Sequence, residues 1–209
     1  LYIHEKFSKE FFIDFLNNII KKIYNNKIKF AFIGPELPLE LEFSDMLEEI
    51  NIPCIGPLSN YAQIETSKTY ARNFIKYAGL NEYSPLYVVL DNKVNKENII
   101  NNLSNFNNFV IKKDGLCGGK GVLVQGIDFQ NKEDVIDDLY NSIKQNEKIL
   151  IEDKLIGEEF SLMSLTDSNG NVKHFPPIQD YKRLYEGDKG PNTGGMGCII
   201  DRNNSLPFL

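Results

Sequence analysis

The stretch FVIKKDGLCGGKGVLVQG, Phe109 to Gly126, sets two apolar runs around a glycine-rich loop carrying Lys120, with Lys112 and Lys113 just before it. Glycines let a backbone approach oxyanions closely and adopt positive φ, so such a loop can aim several N–H groups at a phosphate. Three phosphate-holding devices compete for it. A P-loop reads G-x-x-x-x-G-K-[ST]. Here only three residues separate Gly115 from Gly119, and Gly121 stands where a magnesium-binding hydroxyl is required. A dinucleotide fingerprint must open a helix, whose start supplies the anion site. The VLVQG that follows is β-branched and apolar, with neither a cap residue nor a helical period. What remains is a strand–loop–strand hairpin. Its tip would fold over phosphates and donate from Gly118, Gly119 and Gly121, with Lys120 at the tip and Lys112 reaching from beneath. Taken alone, the loop is equally compatible with an ordinary hairpin bearing solvated lysines.

A second stretch, KILIEDKLIGEEFS, puts an acidic residue at a strand end, followed by Gly157 and then Glu158-Glu159. A strand that exits into a hinge offers backbone groups to an adenine edge, and a carboxylate a few residues on suits ribose hydroxyls. Other chemistries are poorly served. The three cysteines (Cys54, Cys117, Cys198) and two histidines (His4, His174) stand apart, with no ligand spacing for zinc and no basis for a Ser-His-Asp triad. A net charge of −6 gives a nucleic-acid partner no electrostatic footprint. With no apolar run of about eighteen residues, we expect no membrane-spanning helix, and reduced thiols in the cytoplasm.

These residues need elements to hold them. Phe7, Phe11, Phe12, Phe15, Leu16, Ile19, Ile20 and Ile23 recur at three- and four-residue steps, predicting an amphipathic helix. Strands are expected over Ile28–Ile33 and in NIPCIGP, each stopped by Gly-Pro, with a helix from Leu39 to Ile50 between them. Apolar runs alternating with helices predict a parallel sheet, at whose strand ends Gly34-Pro35-Glu36 and Gly56-Pro57 fall. From Ser59 the texture changes. One helix or two should end at Gly79. Strands are expected at Leu86–Leu90, Phe109–Lys112, Val122–Gln125 and in KILIEDKL, EEFSLMSLTD and NVKHFP, with helices over Lys96–Phe106 and Asn131–Gln145. Ser168-Asn169-Gly170 is a hairpin turn.

The order Lys68, Lys112, glycine hairpin, Glu152 to Leu155, Glu159 is similar to that of the ATP-grasp fold. The stretch PPIQDYKRLYEGDKGPNTGGMG, Pro176 to Gly197, resembles phosphoribosylamine–glycine ligases, with FIGPELPL, IPCIGP, IETSKTYARNF and VIKKDGLCGGKGV in the same order and spacing. The resemblance implies an α/β and α+β chain. Residues 1–58 would be the C-terminal part of a parallel-sheet substrate-binding domain, and residues 59–209 part of an ATP-grasp domain with a small glycine-flap lid subdomain, 86–155. It implies ATP-dependent ligation of glycine to 5-phosphoribosylamine through a glycyl phosphate, giving glycinamide ribonucleotide, ADP and phosphate in purine biosynthesis. ATP is implied with Mg2+, or Mn2+ in its place.

On that resemblance Lys68, Lys112, Gly118, Gly119, Lys120 and Gly121 hold ATP phosphates, Glu152 and Leu155 meet adenine, and Glu159 meets ribose. Asp180, Lys182 and Arg183 would act at the reacting centre; an ion-pair network is the alternative. Gly34, Pro35 and Glu36 would lie near the sugar amine, unless they form a simple strand-end turn. Asn192, Thr193, Gly194, Gly195, Met196 and Gly197 would approach substrate, Met196 by packing. Lys113 and Cys117 replace the usual alanines. The family's magnesium-holding Glu-x-Asn is absent, so metal ligands are expected beyond Leu209. The start at Leu1 without Met and the end at Ser205-Leu-Pro-Phe-Leu209 suggest a piece of a longer polypeptide, one that binds ATP poorly and turns nothing over by itself. Another ATP-grasp carboxylate–amine ligase and a non-catalytic nucleotide-binding remnant are the rival expectations.

Overall fold

The computed structural model describes residues 8–20, 28–118, 121–187 and 189–209. Two compact units emerge, Leu1–Leu116 with Leu123–Asp153, and Cys117–Val122 with Lys154–Leu209.

In the first unit, α1 (Lys9–Phe15) starts where the Ser8 hydroxyl accepts a hydrogen bond from the Phe11 N–H, satisfying a donor the helix cannot, and runs on into a wider π turn, Leu16–Ile20. The two ends of the expected helix, Phe7 and Ile23, lie outside the described residues. The Phe12 ring stacks on Phe43, and both join Leu16, Leu47 and Ile52 in a small core. The expected strand Ile28–Ile33 is regular only at β1 (Ala31–Phe32). The expected single helix Leu39–Ile50 is two, α2 (Glu36–Glu40) and α3 (Phe43–Glu49), because Glu42 between them takes a left-handed conformation at φ 64°. β2 (Cys54–Ile55) pairs with β1 in parallel, as the apolar runs predict, Ala31 opposite Cys54.

Then come α4 (Ser59–Thr66) and α5 (Lys68–Tyr77), separated by Ser67, whose extended backbone ends one helix and whose hydroxyl caps the next. Gly79 closes α5 at φ 75°, a value that favours glycine, with the Leu80 N–H donating back to the Ile75 carbonyl. β3 (Tyr87–Leu90), α6 (Lys96–Ser104), β4 (Phe109–Lys113), β5 (Val122–Val124), α7 (Glu133–Lys144) and β6 (Ile149–Asp153) follow. They form a four-stranded sheet in the order β3-β6-β4-β5, with β6 antiparallel to both β3 and β4.

The period of two along a strand divides this sheet into two faces. Phe109, Ile111, Ile149 and Ile151 bury against Ile99 and Leu103 of α6 and Val135, Leu139 and Ile143 of α7. Lys112, Leu150 and Glu152 therefore point to the opposite face.

The second unit is built on hairpins. β7 (Ser164–Thr166) and β8 (Val172–His174) pair across the expected turn, with Gly170 at φ 82°. β9 (Gln179–Tyr185) and β10 (Lys189–Ile199) form a second antiparallel hairpin with two register shifts. Its strands were not expected. GPNTGGMG lies within β10, because bulges let a glycine-rich chain follow a partner that holds its register.

Candidate active site

The glycine loop leaves β4 through Asp114 and Gly115. Asp114 does not point to solvent. Its carboxylate accepts from the Thr69 N–H at 3.1 Å and the Thr69 hydroxyl at 2.7 Å, and the Ser67 hydroxyl donates to it at 3.1 Å. A carboxylate at a helix start satisfies orphan N–H donors and meets the positive end of the helix dipole. Partial burial pushes the Asp114 carboxyl up, but the bonds from Thr69, Gly115 and Ser67 outweigh it and hold the group below its usual range. Beside it, Lys68 Nζ donates to the Gly115 carbonyl at 2.7 Å. Gly115 sits at φ 79°; a Cβ there would meet nothing within 4 Å, so its need for glycine is conformational, not steric. The root of the loop is thus fastened to the first turn of α5.

One turn further along α5, Arg72 reaches the sheet. Its Nε pairs with Oε1 of Glu152, while Lys112 Nζ donates to Oε2 of the same carboxylate at 2.6 Å. In register Glu152 faces Val110 and Lys112 faces Leu150, so Lys112 and Glu152 are diagonal neighbours on one sheet face. Glu152 is 1% exposed. Burial raises the carboxyl; hydrogen bonds from Arg72 and Lys112, together with their charges, outweigh burial and leave it ionised below its usual range. A buried carboxylate of this kind needs a cation: losing both would leave an uncompensated charge.

In the second unit, Lys182 Nζ pairs with Glu159, and Gln179 donates to Glu158 at 3.3 Å. Arg183 Nη1 donates to the Gly190 carbonyl at 2.8 Å. The Thr193 hydroxyl donates to the Lys182 carbonyl at 2.9 Å and accepts from the Gly195 N–H at 3.1 Å. Asp180 is opposite Cys198, and its Oδ1 would lie 3.5 Å from a Cβ on Gly195, which is at φ 125°. Glu159, Asp180, Lys182, Arg183, Thr193 and Gly195 are therefore brought together. Met196 is 56% exposed.

Of the other expected residues, Gly118 is exposed at φ 54° and Gly121 is buried where β5 begins, whereas Gly119 and Lys120 lie outside the described residues. The loop leads into a strand and opens no helix. Leu155 is 72% exposed just past β6. Pro35 is the N-cap of α2 and Glu36 its first residue, exposed, with no bond to the lysine cluster among the described interactions. Asn192 and Gly197 pair with Arg183 and Tyr181 along β10, and Gly194 is exposed.

Sequence reasoning missed Arg72 and Asp114. Arg72 was detectable as the residue four after Lys68, hence on the same helix face. Asp114 follows two lysines and precedes a glycine, a pattern without a predictable partner.

The four-stranded sheet backed by two helices on one face, with Lys112 and Glu152 on the other, defines the class: an ATP-grasp fold. The chain is similar to the solved D-alanine–D-alanine ligase of Bacillus anthracis, TM-score 0.60 at 18% identity over 93% of this chain and 58% of that one, a likeness of fold. The particular family is shown by two family models. Phosphoribosylglycinamide synthetase, N domain, matches residues 4–65, and Phosphoribosylglycinamide synthetase, ATP-grasp (A) domain, matches residues 66–207. The chain belongs to the phosphoribosylglycinamide synthetase family.

Curated relatives are phosphoribosylamine–glycine ligases. That of Methanosarcina acetivorans is 39% identical over 194 residues, 93% of this chain and 43% of its own length. The Pyrococcus horikoshii protein is 37% identical over the same shares. The solved phosphoribosylamine–glycine ligase of Thermotoga maritima superposes with TM-score 0.67 at 30% identity, over 93% of this chain and 44% of that one. The chain spans somewhat under half the length of the relatives it matches.

Proposed function

We propose that this chain belongs to an enzyme joining glycine to 5-phosphoribosylamine at the expense of ATP, with glycinamide ribonucleotide, ADP and phosphate as products. The observation that carries this reading is the Arg72–Glu152–Lys112 group on the sheet face away from α6 and α7, in a chain of this family. Two cations against one carboxylate leave an excess positive charge, which is the chemistry a polyphosphate needs. Lys68 and Lys112 hold ATP phosphates, and Gly118, Gly119, Lys120 and Gly121 cover them. Glu152 and Leu155 offer backbone groups to adenine, and Glu159 a carboxylate to ribose.

Bound ATP supplies the activating phosphoryl group. The protein's share is positioning and charge neutralisation, with water excluded so that an acyl phosphate survives. Asp180, Lys182 and Arg183 orient the amine and the phosphoryl oxygens; an arginine can fork two hydrogen bonds to one oxyanion. Gly34, Pro35 and Glu36 serve the sugar amine, and Asn192, Thr193, Gly194, Gly195, Met196 and Gly197 line the substrates.

The domains on this reading are residues 1–58, 59–209 and, within the latter, the lid subdomain 86–155. The enzyme works in the cytoplasm; no helix among the described residues is long and apolar enough to cross a membrane. The biotin carboxylase domain of Hydrogenobacter thermophilus 2-oxoglutarate carboxylase was solved with MgADP, and its TM-score to this chain is 0.59 at 19% identity. Among the described residues no group of three or more His, Cys, Asp or Glu side chains could hold a metal.

The test is ADP release by the full-length gene product with ATP, glycine and 5-phosphoribosylamine. Turnover should require all three, and Lys112→Ala should abolish it while leaving the circular dichroism spectrum intact. Undiminished turnover in that variant would remove the phosphate role.

A further inference from the structure

The Glu152 carboxylate is shared between two cations from different elements. Lys112 reaches it from the neighbouring strand β4, and Arg72 from helix α5. The carboxylate is 2% exposed, while Arg72 and Lys112 are 22% and 27% exposed. Each carboxylate oxygen has its own cation, Oε1 that of Arg72 and Oε2 that of Lys112.

Were Glu152 paired with Lys112 alone, the two would form a neutral couple. Transferring the ammonium to an incoming phosphoryl oxygen would then strand a buried carboxylate without a counterion, which is strongly unfavourable. With Arg72 in place, the carboxylate keeps a counterion when Lys112 turns away. The group as a whole also keeps one uncompensated positive charge for the ligand.

We infer that Arg72 is a positioning residue for nucleotide binding: it acts through Glu152, as the standing counterion that frees the Lys112 ammonium to engage a phosphate. Arg72 itself touches no nucleotide. The inference rests on the reading of Lys112 as a phosphate ligand given above.

The prediction concerns charge balance, which a merely structural role for Arg72 would not follow. Binding of ADP to the full-length gene product is measured by calorimetry, with thermal unfolding recorded for each variant. Arg72→Lys keeps the charge and should bind within about twofold of the unaltered protein. Arg72→Gln leaves a neutral Lys112–Glu152 couple and should weaken ADP by about tenfold or more. Arg72→Gln combined with Glu152→Gln removes one charge of each sign and returns Lys112 as a single free cation. That double variant should recover most of the lost affinity, even if it melts at a lower temperature.

Equal ADP affinity in Arg72→Gln and the unaltered protein would overturn the inference. So would a double variant as weak as Arg72→Gln, since Arg72 would then matter only as packing. The underlying reading has its own control: if Lys112→Met binds ADP as tightly as the unaltered protein, Lys112 is no phosphate ligand and both ideas fall. If Lys112→Met weakens ADP while Arg72→Gln does not, only the role of Arg72 fails.

Discussion

Asp114 shows how one side chain can fix the geometry of a loop. It spends its carboxylate on the start of α5, taking bonds from Thr69 and Ser67, and so holds the neighbouring Gly115 carbonyl where Lys68 can reach it. Asp114→Asn replaces a charged acceptor by a neutral one at a helix N-terminus. We expect a loss of about 1 kcal/mol, kept small because the site is partly open to solvent. Urea unfolding followed by circular dichroism would measure it, and an unchanged midpoint would show that the fastening contributes nothing. The sequence marked Lys68 and Lys112 through their setting in recognisable blocks. It did not mark Arg72, since nothing in KTYARNF says that the fifth residue meets a carboxylate eighty positions on.

Among the elements, the β9–β10 hairpin is where local sequence and structure diverge most. Glycine is depleted in regular strands, so GPNTGGMG reads as a loop. Pairing with β9 makes it a strand, bulged at its two register shifts. Gly190 is essential to that geometry. It sits at φ 82°, and a Cβ there would collide with the Tyr185 ring. Its carbonyl is also the acceptor for Arg183. Gly190→Ala should therefore destabilise the hairpin by about 1–3 kcal/mol and displace the Arg183 guanidinium. The variant should lower kcat as well as the unfolding midpoint. If both stay unchanged, the close approach at Tyr185 carries no weight. In the other unit, the four-stranded sheet was legible because its strands are short apolar runs set between helical stretches. Which side chains each face buries was not: Phe109 and Ile111 enter the core on one side, while Leu150 and Glu152 are buried on the other.

At the scale of the whole molecule, Glu152 and Asp114 are the most buried of the carboxylates held below their usual range, and they bear on the response to acid. Glu152 and Asp114 start from 4.5 and 3.8 and are held below those values in the folded chain. A depressed carboxyl stabilises the fold above its unfolded pKa, and that contribution is lost as pH falls through the folded one. Stability should accordingly be level from neutral pH down to about 5 and decline below about 4.5. The decline should be shallower in Asp114→Asn, which has one such group fewer. Urea midpoints at stepped pH test this, and parallel curves for the two proteins would show that Asp114 takes no part.

By itself the sequence determined the family, the class of fold, and the run of strands and helices around the glycine loop. Those features are local: motif, spacing, period and turn chemistry act over a few residues. The tertiary structure alone decided that Arg72 and Lys112 share the carboxylate of Glu152, that Asp114 fastens the loop to a helix, and that a glycine-rich segment is a strand. Each of these is a contact between residues far apart in the chain, and their pairing depends on how sheet register and helix face bring the elements together.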